Sequence, residues 1–175
     1  MKYFTYGSNM LTERLKARVS SANNPTHYTL RKHHLRFHKK SVDCSGKCSI
    51  IATDSDNDVV HGVLFDIDDA QINILDRVEG VNNGYERIVI NLELDGIESK
   101  VFIYVAEKSA IDEALVPYSW YYDLVLSGAE QHALPNDYIA GLKAVPFTQD
   151  PKADRESRLE ALEVLKRYFE SKKIA

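Results

Sequence analysis

An apolar, aromatic run near the start of the chain, Tyr3-Phe4-Thr5-Tyr6, stops at Gly7-Ser8-Asn9, and a helical pattern follows at once. Strand, turn and helix are thus forced together within the first twenty residues. Gly7 permits backbone angles that other residues resist. A Gly-Ser-Asn turn that opens a helix also leaves several N–H groups without intrahelical partners. With the positive end of the helix dipole, those donors can hold a carboxylate or phosphate. The simpler alternative is a plain strand-to-helix turn with Asn9 as the cap. No Gly-Lys-Ser/Thr follows, so the turn is not a nucleotide-binding P-loop.

The remaining pattern is α+β. Residues 2–6 read as a short strand, and Leu11, Leu15 and Val19 share one face of a helix capped by Asn9 or Thr12. Residues 27–38 are compatible with a strand whose register is ambiguous around Lys32 and His33. Four further strands are expected at 48–53, 59–67, 86–94 and 100–106. In the third of these, Ile88, Ile90, Leu92 and Leu94 alternate with Val89, Asn91 and Glu93, the period of a half-buried strand. Between the second and third, Ile72, Leu75 and Val78 recur at helical spacing; Asp68 or Asp69 can cap the start and Gly80 the end, near Glu79. After Pro117 a helix runs to about Gly128, and a short one follows Pro135. A polar linker then leads to an amphipathic helix bearing Leu159, Leu162, Val164, Leu165 and Phe169. The expected organisation is one domain over 1–150, with the helix of 151–175 packed on it.

Length and charge narrow the function. The 175 residues, with 44% hydrophobic and 27% charged side chains, fit a folded domain with a sizeable core. A net charge of -4 and a pI near 5.9 argue against a nucleic-acid partner. No apolar run approaches the roughly 18 residues of a membrane span. The first residues show no signal-peptide pattern, and Cys44 and Cys48 are too few for a disulfide framework. A reducing cytoplasm is therefore the expected location, without a membrane partner.

Several side chains could carry chemistry. Glu79 stands at a helix C-terminus, where the dipole disfavours negative charge. Partial burial there would make it titrate closer to neutrality, as general acid–base work requires; a solvated helix end is the plainer reading. His33, His34 and His38 cluster in a basic stretch, but only His34 and His38 would share a strand face and no carboxylate is interleaved, which favours a solvated strand over a metal site. Tyr118, Tyr121 and Tyr122 surround Trp120 on a helix; most such aromatics are core, yet a hydroxyl at a cleft can bind a substrate.

Together these stretches resemble the γ-glutamylcyclotransferase family, of the superfamily that includes the AIG2-like proteins. The resemblance rests on Tyr6-Gly7-Ser8-Asn9-Met10-Leu11, on Leu75-Asp76-x-x-Glu79-Gly80-Val81, on Tyr85, and on Tyr121 ahead of Ser127-Gly128-Ala129 and Leu134-Pro135. It spans residues 3 to about 145. It implies a small mixed β-barrel flanked by helices, with Tyr6, Gly7, Ser8, Asn9, Met10 and Leu11 as the substrate cradle. Glu79 matches the family's catalytic glutamate, and Tyr85 and Tyr121 match pocket tyrosines. The implied reaction is attack of a γ-glutamyl α-amino group on its own side-chain carbonyl, releasing 5-oxoproline and an amine. No metal and no other cofactor is implied.

Two departures stand out. Met10 occupies a position where relatives carry other apolar residues, and Tyr85-x-Arg87 looks more like the AIG2-like branch. The leaving group is left open: Cys-Gly, another amino acid, or a lysine side chain. The rival reading is a non-catalytic module that binds a small acid in the same cradle. The C-terminal helix lies largely outside the resemblance and is a candidate for homodimer contacts.

Overall fold

In the computed structural model, which describes residues 1–173, the first strand sits in the middle of the main sheet. β1 (Lys2–Thr5) is flanked by β5 (Val59–Asp66), antiparallel with Phe4 opposite Leu64, and by β7 (Ile97–Ala106), parallel with Lys2 opposite Val101. β2 (Asn23–Arg31) pairs outside β5 and β6 (Tyr85–Leu94) outside β7, giving the order β2-β5-β1-β7-β6. β6 and β7 form a hairpin around Asp95 and Gly96, whose φ values of 52° and 79° suit the twist of the strands.

The ambiguity near Lys32 has a physical cause. Lys32 takes a φ of 57°, so the chain breaks there and starts a new strand. β3 (His33–Lys40) and β4 (Gly46–Ala52) then form a separate two-stranded ribbon. The expected α+β architecture holds, but the word barrel is too strong: the five-stranded sheet does not close on itself, and β2 and β6 are its edges.

The helices cover the sheet. α1 (Thr12–Arg18) follows the first turn, and α2 (Asp69–Glu79) joins β5 to β6. α2 is bounded as its ends suggest: the Asp68 side chain accepts from the Ala70 amide, and Gly80 closes it in the left-handed conformation at φ 76°. α3 (Ser119–Gln131) runs past Gly128 for nearly another turn. That glycine is no cap; it marks where α3 meets the first turn. α4 (Asn136–Lys143) follows Pro135. The core centres on Phe4, Phe65, Phe102, Leu15 and Leu75, all fully buried.

α5 (Glu156–Lys172) packs on α3 and α1 through Ala161, Val164, Leu165 and Tyr168. Its apolar stripe differs from the one expected, because Leu159, Leu162 and Phe169 point outward. The helix entry is held by Asp150, whose carboxylate is fully buried. It accepts from Trp120 Nε1 at 3.0 Å and from Arg155 Nε at 2.6 Å and Nη2 at 3.0 Å. Those Arg155 bonds hold its carboxyl well below the usual carboxylate range. A depressed carboxyl stabilises the fold above its unfolded-state pKa, and the contribution fades as pH falls below about 4. Melting curves from pH 7 to pH 2.5 should therefore show a steep acid limb that Asp150→Asn flattens. Equal slopes for both proteins would remove this tether from the acid response. No described helix is long and apolar enough to cross a membrane.

Candidate active site

The turn after β1 is a single 3-10 turn, Ser8–Met10, closed by Met10 N–H to Gly7 O at 3.0 Å and Leu11 N–H to Ser8 O at 3.4 Å. Those bonds occupy the Met10 and Leu11 amides. The amides of Gly7, Ser8 and Asn9 donate to no acceptor among the described residues. Gly7 is favoured by crowding rather than by its angles: a Cβ there would lie 3.1 Å from Cys48 Cβ and 3.2 Å from the Tyr121 hydroxyl oxygen, tight contacts that would push those side chains back.

Asn9 does not cap α1, which begins without a side-chain cap. It faces inward instead. Its Nδ2 donates to Glu79 Oε1 at 2.8 Å and to the Tyr3 hydroxyl at 3.1 Å, and its Oδ1 accepts from Arg18 Nη1 at 2.8 Å. Arg18 Nη1 also reaches Glu79 Oε1 at 2.5 Å. Glu79 is thus neither solvated nor isolated in an apolar pocket: it is largely buried, and Oε1 is fixed by two donors. Its Oε2 accepts no hydrogen bond among the described residues and stays available. Asp76, one turn earlier, anchors this end of α2 by accepting from the Tyr104 hydroxyl at 2.8 Å and pairing with Arg87 at 3.4 Å.

Tyrosines form the walls. Tyr6 donates to the Tyr104 carbonyl, Tyr85 donates to the Cys48 carbonyl at 2.6 Å, and the Tyr121 oxygen accepts from the Cys48 amide at 3.0 Å. Burial pushes all three phenols well above their ordinary range, and it pushes the Cys48 thiol up to about 12. These walls are neutral at physiological pH.

The recess is narrow, about 30 Å³, and is lined by Tyr6, Gly7, Ser8, Asn9, Glu79, Tyr85 and Tyr121. Ser8, Glu79, Tyr85 and Tyr121 also border an adjoining vestibule of about 410 Å³. The vestibule wall carries Arg14, Arg18, Lys39, Lys47 and Arg155 against Asp43, Glu79 and Glu156. Arg14 Nε donates to Ser8 Oγ at 3.2 Å, and burial together with nearby Arg18 disfavours its charge. Lys47 bonds Asp43 at 2.8 Å and lies 4.4 Å from the Trp120 ring centre.

The structure therefore brings together Tyr6, Gly7, Ser8, Asn9, Glu79, Tyr85 and Tyr121. It does not bring in Met10 and Leu11. Their side chains are fully buried in the core beneath Gly128, and their amides are spent within the turn. Tyr3, Cys48 and Tyr104 border the recess without a local signal that placed them there, and Arg18, on the vestibule wall, bonds Glu79. Arg14 and Arg18, four residues apart on one helix face, were the legible signal for the basic wall. Among the histidines, His38 departs from the solvated reading: it is buried, with Nδ1 2.8 Å from Glu113 Oε1. No group of three or more potential metal ligands occurs among the described residues. Tyr118 and Tyr122 line neither the recess nor the vestibule.

Residues 59–142 match the AIG2-like family. The human and mouse γ-glutamylcyclotransferases are each 32% identical over 147 residues, spanning 82% of this chain and 77% of theirs. A solved γ-glutamyl cyclotransferase superposes with a TM-score of 0.79 at 27% identity, covering 93% of this chain and 98% of its own.

Proposed function

The chain belongs to the γ-glutamylcyclotransferase family and is an enzyme of that kind; from there we propose that it releases 5-oxoproline from a γ-glutamyl amide, with Glu79 moving the protons. The substrate's α-amino nitrogen attacks its own γ-carbonyl carbon. A five-membered ring closes as the new C–N bond forms, and the bond to the leaving nitrogen breaks. Nucleophile and electrophile belong to one molecule, so the protein's task is to fold and hold it.

Proton transfers remain. The α-ammonium must lose one proton to become nucleophilic and a second once the ring C–N bond has formed, and the leaving nitrogen takes up both and departs as an ammonium. A single carboxylate can accept each proton from the one nitrogen and pass it to the other. Glu79 Oε2 is free for this, while Arg18 and Asn9 fix Oε1. The γ-carbonyl end enters the narrow recess, where the Gly7, Ser8 and Asn9 amides are donors for the oxygen that gains charge. The leaving group lies in the vestibule. The observation that carries this reading is that Glu79, with one carboxylate oxygen unbonded, lines one recess together with Gly7, Ser8 and Asn9, whose amides have no acceptor among the described residues.

The test is a product assay. The purified protein is incubated with γ-glutamyl amino acids, glutathione and ε-(γ-glutamyl)-lysine, and 5-oxoproline is followed by mass spectrometry. Release from at least one compound is expected. Ligand-induced thermal stabilisation without 5-oxoproline from any of them would instead favour a binding module.

A further inference from the structure

Lys39 is a cation the reaction does not account for. The residue is 7% exposed, yet its ammonium forms no hydrogen bond or ion pair with the described residues. The other vestibule cations are occupied. Lys47 pairs with Asp43, Arg155 with Asp150, Arg18 with Glu79, and Arg14 donates to Ser8. Lys39 Nζ instead stands 4.5 Å from the centre of the Tyr85 ring, and Tyr85 borders both recess and vestibule.

The backbone deepens the anomaly. In the β3–β4 ribbon Lys39 is the direct cross-strand partner of Lys47. Like charges placed opposite one another destabilise a ribbon, more so when desolvated. A register irregularity between Arg36 and Lys39 precedes this pair, a feature that re-aims a side chain. Burial opposes the Lys39 charge, while the pull of Glu79, Asp43 and Glu107 restores part of it. The protein thus maintains an unneutralised ammonium at the mouth of the recess, at a cost to its fold.

We propose that Lys39 reads the leaving group, its ammonium binding the carboxylate of the amino acid released from the γ-glutamyl amide. This rests on the cyclotransferase reading and selects among its substrates. With the glutamyl carbonyl in the recess, the leaving amine emerges beside Tyr85, where an anion is drawn to Lys39. A γ-glutamyl amine without a carboxylate gains nothing there.

The test uses two substrates that differ only in that charge, γ-glutamyl-alanine and γ-glutamyl-alaninamide. For the unaltered protein, kcat/KM for the acid should exceed that for the amide by about tenfold or more, the usual reach of one charge-assisted bond. In Lys39→Met, which keeps the buried stem, the ratio should collapse toward one; Lys39→Arg should retain most of it. Equal turnover of both substrates by the unaltered protein overturns the assignment, whatever the variants do. A ratio preserved in Lys39→Met overturns it too, since Lys39 would then serve both substrates alike. Those outcomes leave 5-oxoproline release standing; its absence from both substrates, and from the wider panel, fells the cyclotransferase reading itself.

Discussion

Glu79→Gln should lower kcat for 5-oxoproline release by about three orders of magnitude, with the protein still folded. The substitution is nearly isosteric. Its amide oxygen can still accept from Asn9 Nδ2 and Arg18 Nη1, so the contacts that seat the side chain largely survive. What disappears is the oxygen that takes the α-ammonium proton and returns it to the leaving nitrogen. KM should therefore change much less than kcat, because binding depends on the turn and the vestibule. The melting temperature should move by no more than a few degrees. A variant that retains a tenth or more of the activity would show that another group carries the proton. Parallel loss of activity and of folded structure would make Glu79 a structural residue.

The second large effect lies outside the recess. A Cβ at Gly128 would stand 2.5 Å from the Leu11 amide nitrogen, 2.7 Å from Met10 Cβ and 2.8 Å from the Met10 carbonyl carbon. Two of these atoms are backbone and cannot swing aside. In an open helix, Gly→Ala would gain about 1 kcal/mol of helix propensity. Here α3 would have to retreat from the first turn, at an overpacking cost of about 2–3 kcal/mol. The clash wins. Gly128→Ala should melt roughly 2–8 °C lower, and kcat/KM should fall at temperatures where the variant is folded, because the displaced segment continues from Gly7, Ser8 and Asn9. A melting temperature within 1 °C of the parent would mean that the two elements yield easily.

These cases show what the sequence made legible. Local rules worked where local forces decide. Asp68 and Gly80 bound α2 because a side-chain acceptor and a left-handed glycine end helices wherever they occur. The motif residues Gly7, Ser8, Asn9, Glu79, Tyr85 and Tyr121 meet in one recess, as their resemblance to the family implied. Local rules failed where a distant element decides. Asn9 reads as a helix cap, but Glu79, seventy residues on, claims its amide. Gly128 reads as a terminus, but its reason is the backbone of Leu11. Met10 and Leu11 belong to the motif yet serve the core, since a 3-10 turn sends successive side chains to different sides. Nothing local to Lys39 announces that Lys47 lies opposite, because that pairing depends on how the ribbon is registered.

The place of β1 in the sheet bears on how the molecule is assembled. The strand is made first, yet its ladder partners are residues 63–66 and 101–102. A chain emerging from the ribosome carries the glycine turn long before it has anything to lean on. Closing contacts across some sixty and then a hundred residues costs loop entropy before any pairing repays it, the signature of a slow-folding topology. A fragment that ends before β7 has neither the parallel neighbour of β1 nor the Tyr104 carbonyl on which Tyr6 rests. Completion of the sheet is thus a precondition for the recess, and chains that stop short of β7 hold the motif without the walls that enclose it.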